Sequence, residues 1–276
     1  RCYLFFTFTF AFMQLTTKIL SMLAIAGLFF FAGCSDDSSN EPNPEPVGTT
    51  PQCYLKSSNE ISQGSDYLLT YTYDASNNIT SVSEDGFTYD LKYTDGKVTE
   101  ITSEDGDLIT IEYENGIIPS KINYLFDGET AYSRFEISND NITKDEFYLV
   151  EDGESVLTYV SSIQYNTDGT LSSITEQEYD ADTDKYTTIS TVKNIVSDDK
   201  INPYTTSNAL IIISLLDDDF DRLGKGNILS AEYDYMINSA SNIVNSYTYN
   251  NEGYPLSKNQ KGFSDEADFT FTYDCK

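Results

Sequence analysis

Seven Asp-Gly or Asn-Gly pairs punctuate this chain: Asp85-Gly86, Asp95-Gly96, Asp105-Gly106, Asn115-Gly116, Asp127-Gly128, Asp152-Gly153 and Asp168-Gly169. Each supplies the positive φ angles that a tight hairpin turn demands. Between the turns, apolar residues take every second place, as in Leu69, Tyr71 and Tyr73 or Ile109, Ile111 and Tyr113, with Thr, Lys, Glu and Asp opposite. Such alternation marks half-buried antiparallel strands.

The strands recur as a unit. A Tyr-containing strand runs into an Asp/Asn/Gly turn and is followed by a strand of Ile, Val and Thr. Copies read Tyr71-Thr-Tyr-Asp-Ala-Ser-Asn-Asn-Ile79, Leu91-Lys-Tyr-Thr-Asp-Gly-Lys-Val98, Ile111-Glu-Tyr-Glu-Asn-Gly-Ile117, Ile163-Gln-Tyr-Asn-Thr-Asp-Gly-Thr-Leu171 and Tyr247-Thr-Tyr-Asn-Asn-Glu-Gly-Tyr254, and Phe269-Thr-Phe-Thr-Tyr-Asp274 repeats the theme. Tyr73, Tyr93 and Tyr113 stand ~20 residues apart, the period of two strands with two turns. The 22 tyrosines are expected to pack their rings along cross-strand neighbours while their hydroxyls reach water.

One segment breaks the pattern. Asn202-Pro203-Tyr204 leads into 205–218, where Ala209, Leu210, Ile212, Ile213 and Leu216 fall at helical spacing. Ser207 or Thr206 is placed to cap its start. Asp217-Asp218-Asp219 sits at the wrong end for the helix dipole, so the helix should stop there. The expectation is a helix covering one face or edge of the sheet, with strands resuming at Asn227.

Ahead of the repeats, Met13 is read as the start and residues 1–12 as an artefactual extension. Lys18, an apolar run from Ile19 to Ala32, and then Gly33-Cys34 have the form of a removed export signal over 13–33. The apolar run is short for a membrane span. Residues 34–52, rich in Ser, Asn, Pro, Glu and Gly, read as a disordered acidic linker, with the folded domain at 53–276. The chain has 45 acidic and 16 basic side chains and a formal charge of −29. Such a field repels nucleic acid and anionic membrane surfaces.

Four cysteines occur. Cys2 precedes the leader and Cys34 follows it, whereas Cys53 and Cys275 bracket the folded domain. Outside the cytoplasm a bond between the last two is permitted, and it requires the first and last strands to meet. A long open sheet would keep them apart, so both states stay open.

Catalysis is disfavoured. With no histidine in the chain, Ser-His-Asp, Cys-His and His-ligated zinc sites are excluded, and no Gly-rich phosphate loop or nucleophile elbow occurs. No catalytic or cofactor-binding residue is assigned. Carboxylates are plentiful enough for glycoside hydrolysis, yet no pair is set apart by an apolar setting. Asp180, Asp182 and Asp184 alternate like the start of a calcium loop, but Lys185 stands where that loop needs Gly and Thr191 where it needs Glu. A polar hairpin tip between strands around Gln177 and Tyr186 is the reading taken, with no metal.

Phe31-Ala32-Gly33-Cys34 resembles a lipobox, which implies acylation of Cys34, although Phe31 replaces the usual Leu. Asp36 and Asp37 directly after it resemble the surface-export signal of Bacteroidetes lipoproteins. The Tyr-Asp and Tyr-x-x-Asp-Gly units resemble YD/RHS-type repeats. The layout, with Asn202-Pro203-Tyr204 before the helix, Leu223-Gly224-Lys225-Gly226-Asn227 after it and Tyr247-Thr-Tyr-Asn-Asn-Glu-Gly-Tyr-Pro255 near the end, is similar to a domain-of-unknown-function family of Bacteroidetes lipoproteins. That resemblance carries no reaction to transfer, and the chain is too short to close a cocoon like the RHS shells.

The expected fold is all-β, a repetitive antiparallel β-meander of YD/RHS-like hairpins forming a curved sheet of roughly a dozen or more strands. One short helix is inserted near 205–218. The expected function is a non-catalytic, lipid-anchored module at the outer-membrane surface, binding or scaffolding a protein or glycan partner without cofactor or nucleic acid and touching the membrane only through its lipid. The alternative is carbohydrate binding by exposed tyrosines on one sheet face, weakened by the absence of tryptophan. Three or more solvent-facing tyrosines in a row on a concave face would favour carbohydrate; an evenly polar face with one flat apolar patch would favour the module.

Overall fold

Hairpin follows hairpin without a crossover until the last strand returns to the first. The structure, a computed structural model, describes residues 52–276 apart from 63, 64, 85, 127, 236–238 and 263–265. The leader, Cys34, Asp36, Asp37 and the linker up to residue 51 lie outside the described residues. The strands are β1 (Cys53–Ser62), β2 (Ser65–Tyr73), β3 (Ile79–Glu84), β4 (Phe87–Thr94), β5 (Lys97–Ser103), β6 (Leu108–Glu112), β7 (Lys121–Phe126), β8 (Glu129–Ser138), β9 (Asn141–Glu151), β10 (Glu154–Tyr165), β11 (Leu171–Asp180), β12 (Lys185–Ser197), β13 (Ile228–Tyr235), β14 (Ser239–Tyr249), β15 (Pro255–Lys261) and β16 (Ala267–Cys275).

β1 pairs with β16 from Cys53↔Cys275 to Ser62↔Ala267, and the sheet closes into a sixteen-strand barrel. This replaces the expected curved sheet with a closed one and brings together the two ends whose meeting the sequence left open. An open meander would leave two rows of backbone N–H and C=O groups without partners, and closure removes both edges at once. A disulfide between Cys53 and Cys275 fastens the seam. Just beyond it Gln52 and Lys276 exchange both backbone hydrogen bonds, at 3.1 and 3.0 Å. The rim that holds both of these residues is called the terminal rim below, and the opposite one the far rim.

The Tyr-Asp signature has a mechanical explanation. The ladders slip by one residue at the tyrosine that precedes the turn, between Thr72 and Tyr73, Lys92 and Tyr93, Gln164 and Tyr165, and Thr248 and Tyr249. A bulge of this kind takes backbone groups out of the ladder. Tyrosine hydroxyls from the next unit meet the freed carbonyls: Tyr73 donates to Leu55 O at 2.7 Å, Tyr93 to Ile79 O at 2.8 Å and Tyr113 to Val98 O at 2.7 Å. The expectation that these hydroxyls reach water is corrected, since they brace one hairpin against the one before it. The aspartate that follows folds the turn, as Asp74 Oδ1 accepts from the backbone N–H of Ser76 and Asn78 at 2.8 and 2.9 Å.

A sixteen-strand barrel is too wide for wall side chains to fill. The excursion between β12 and β13 fills its terminal half. It contains a 3-10 turn (Pro203–Thr205), α1 (Asn208–Leu216) and a second 3-10 turn (Phe220–Arg222). Ser207 caps α1, its side chain accepting from Leu210 N at 3.3 Å. Leu210, Ile212, Ile213 and Leu215 pack in one core with the inward wall residues Leu55, Ile79, Val98, Ile111, Ile122, Ile163 and Leu171. The helix expected to lie on a face or edge is therefore inside the barrel, and shorter than the expected 205–218. A helix apolar on nearly every side is stable only when surrounded. Asn208 ties it to the wall, accepting from Val98 N at 2.8 Å and donating to Ile117 O at 2.6 Å.

The neck of the plug is held by polar residues. Asp198 Oδ1 accepts from Asn227 N at 2.8 Å, and Asn202 Nδ2 donates to the carbonyls of Arg222 and Gly224, both at 2.8 Å. Gly226 has φ +78°, and a Cβ there would stand 2.2 Å from Asp198 O, so the exit strand closes on the entry strand only without a side chain.

The outer face of the wall is mainly polar, although Ile61, Leu68, Leu125, Val244 and Leu256 also stand exposed on it. Cross-strand ion pairs cover it, including Lys92–Glu100, Arg134–Glu146, Lys144–Glu136 at 3.2 Å and Lys193–Glu232 at 3.2 Å. Burial tends to raise the Glu146 carboxyl, but Lys144, Arg134 and Tyr148 together hold it down at about 2.

Candidate functional site

α1 stops at Asp217, where Asp218 takes φ 54° and the chain turns back toward the neck. Its end presents Asp217, Asp218, Asp219 and Asp221 toward the half of the barrel interior beyond the plug. Strand alternation brings wall residues to the same space: Glu60 from β1, Glu84 from β3, Asp145 from β9, Glu176 from β11 and Lys258 from β15. Mutual electrostatic effects connect the set, linking Asp217 with Glu84, Asp218 with Glu176 and Asp145, and Asp219 with Glu60 and Lys258. The sequence placed the aspartate triplet only as a helix stop; its meeting with inward acids from distant strands depends on closure.

Cations are few here. Arg222 binds Asp217 at 3.2 Å and Asp219 at 2.6 Å, and its guanidinium lies over the Tyr204 ring at 4.5 Å. Lys258 stands over the Phe269 ring at 4.1 Å, and burial lowers its pKa. Tyr67 donates to Glu84 and Ser190 to Glu176. Asp217 and Asp218 are accessible to solvent although the wall rings them. The inward-facing Phe87 and Phe126 at the far rim are 59% and 38% exposed, so no packed core caps that side at these positions.

Enclosure disfavours the charged forms. Although both side chains keep contact with solvent, withdrawal from bulk water inside the ring of strands raises Asp217 and Asp218 to about 7, helped for Asp218 by Glu176, and raises Asp219 to about 6 against the pull of Arg222. Asp145 is also pushed well up by burial, then by Asp218. Carboxyls raised in the folded state contribute stability below their unfolded pKa, and lose it as pH rises through the folded value. A tenfold gain in a carboxyl's proton affinity on folding corresponds to about 1.4 kcal/mol. Screening by solvent in the lumen brings the set to about 2 kcal/mol. Between pH 5 and pH 8 the melting temperature should accordingly fall by about 4–8 °C. Thermal melts at constant ionic strength measure this, and a protein more stable at pH 8 would refute the assignment.

The metal candidates from the sequence are occupied by their own turn. Asp180 Oδ1 accepts from the N–H of Asp182 and Thr183 at 3.0 and 3.2 Å, and Asp184 Oδ1 accepts from Tyr179 Oη at 2.8 Å. Glu252 lies near Cys53 and Cys275, but their sulfurs are bonded to each other.

Most tyrosines point inward, among them Tyr67, Tyr73, Tyr89, Tyr93, Tyr113 and Tyr165. On the outer face Tyr132 and Tyr148 stack at 4.7 Å and 15°, with Lys121 over the Tyr132 ring at 4.3 Å and Arg134 over the Tyr148 ring at 5.5 Å. Cations thus cover this pair, while a second outer pair, Tyr179 and Tyr186, stands 4.9 Å apart with Tyr186 52% exposed. Beside the first pair runs a groove of about 340 Å³ with Leu108, Leu125 and Val150 in its lining.

Among the described residues no helix is long and apolar enough to cross a membrane. No family model matches the chain, and no curated protein does. Solved structures do match. A porin-like protein from Bacteroides uniformis aligns over 79% of this chain and 96% of its own, with a TM-score of 0.54 and 16% identity. A porin-like protein from Bacteroides vulgatus aligns over 81% and 99%, with a TM-score of 0.57 and 12% identity. At that level of identity the likeness is one of fold: this chain is built like those two barrels.

Proposed function

We propose that the protein is a non-catalytic binding or scaffolding module, anchored to the outer membrane through lipid on Cys34 and standing in water. The observation that supports this is the orientation of the wall. A barrel embedded in lipid carries an apolar band outside and a polar interior. Here the apolar side chains face in against α1, and ion-paired strands face out. A plug filling the terminal half also argues against free conduction. Enzymatic work finds little support, because the chain has no histidine. The carbohydrate alternative called for a row of open tyrosine rings, whereas the stacked outer pair is capped by Lys121 and Arg134. The groove beside it, where Leu108, Leu125 and Val150 alternate with Thr110, Asn123 and Thr130, supports a protein partner.

Fractionation tests the reading. The native protein should partition with outer membranes and into detergent, while Cys34→Ala should appear in the soluble fraction, folded and without detergent. Retention of Cys34→Ala in carbonate-washed membranes would mean that the wall itself sits in lipid.

A further inference from the structure

We propose that reduction of the Cys53–Cys275 bond opens a zinc site at the terminal rim, in which the two thiolates and the Glu252 carboxylate hold one ion and refasten the seam of the barrel. The proposal goes beyond the binding-module reading and holds wherever that module is anchored.

The strongest observation is that three ligand atoms already stand together. Among the described residues, Cys53, Glu252 and Cys275 form the one group of three or more cysteine, aspartate or glutamate side chains whose ligand atoms all lie within 4.8 Å of one another. Ligand atoms around a tetrahedral zinc ion are roughly 3.5–4 Å apart. Side-chain rotation therefore suffices to close the set on an ion once the sulfurs are free.

Backbone register keeps the sulfurs side by side without the bond. Cys53 and Cys275 stand directly opposite in the ladder of β1 and β16. Their neighbours Gln52 and Lys276 exchange both backbone hydrogen bonds, so the cysteines take the non-hydrogen-bonded position, where opposed side chains approach most closely. Glu252 arrives independently, on the turn between β14 and β15. Asn250 shapes that turn, its Oδ1 accepting from the N–H of Glu252 at 3.1 Å and of Tyr254 at 2.9 Å. The same turn is docked on Cys53: Asn250 Nδ2 donates to Cys53 Sγ at 3.8 Å, and Cys53 N–H donates to Tyr254 Oη at 3.4 Å.

Donor chemistry selects the ion. Thiolates favour zinc over calcium or magnesium, and two sulfurs with one oxygen leave a fourth position for water. Cys275 is exposed whereas Cys53 is 3% exposed, so Cys275 is the sulfur open to attack. A dithiol reductant from outside the protein supplies the electrons: its thiolate bonds to Cys275 Sγ, and Cys53 Sγ leaves and takes a proton. The reductant's second thiol then displaces Cys275 Sγ, which takes the other proton as the reductant closes its own disulfide. Zinc entry releases both protons again, one from each thiol.

Protein reduced with a phosphine, which is then removed under nitrogen, tests this with zinc chloride as the probe. The reduced protein should bind one zinc ion more than the oxidised protein. With zinc a hundredfold above its dissociation constant, the reduced protein should regain at least about 5 °C of melting temperature, and the oxidised protein less than about 1 °C. Cobalt in place of zinc should give thiolate-to-metal absorption and the intense visible bands of a tetrahedral site, both lost in Cys275→Ser. Glu252→Gln should melt like the native protein while oxidised, yet bind zinc at least tenfold more weakly once reduced. Asp274→Asn, beside Cys275 but on the other face of its strand, should stay within twofold. An equal gain in the oxidised protein, no gain in the reduced one, or native affinity in Glu252→Gln would overturn the proposal.

Discussion

Replacing Cys53 and Cys275 by serine, or reducing their disulfide, should destabilise the barrel by about 5 kcal/mol and lower its melting temperature by about 10–20 °C. The bond joins residues 222 apart in sequence, almost the whole folded region. Cross-linking such a span removes a large part of the unfolded chain's freedom, and the entropy grows with the logarithm of loop length. The same bond lies on the seam between β1 and β16, where the pairing is the least local in the protein. The reduced protein should still close, because the seam's hydrogen bonds and the core remain. Melts with and without dithiothreitol, beside the double serine variant, give the measurement. A fall of under about 3 °C would mean that the seam does not depend on its covalent fastening.

Ile212→Ala should cost about 4 kcal/mol, the second large effect. Ile212 is 0% exposed at the middle of α1, enclosed by the plug and the wall. The surrounding strands are joined in a closed ring and cannot move inward to fill the space, so both the transfer and the cavity contributions should be felt. Ile211, one residue earlier and only partly buried, is the internal comparison, and alanine there should cost about 1 kcal/mol. Urea titrations of both variants distinguish them, with a shifted midpoint and an unchanged slope expected for Ile212→Ala. Equal costs at the two positions would place the helix against an outer face instead.

Strand content was readable because alternation and Gly turns are local properties: the hairpin about Asp95-Gly96 and the turn made by Asp74 follow from a few adjacent residues. Closure was not readable, since the pairing of β1 with β16 depends on the total twist and stagger of all sixteen strands. The position of α1 was partly written in Ala209 to Leu216, where Ser214 is the single polar residue. Such a helix has no face left for water, a stronger statement than the spacing of its apolar residues. Asn202 and Gly226 stood out in the sequence without a role, and the neck of the plug supplies one. The acidic lumen was hidden for a simple reason: Glu84, Asp145, Glu176 and Asp218 lie far apart in the chain and are ordinary surface residues by composition.

An even number of crossings returns the polypeptide to the level where it began. Residue 52 and residue 276 therefore leave side by side, on the plugged end. The domain is thus entered and left through one rim, and the opposite rim, where Phe87 and Phe126 stand exposed, carries neither end of it.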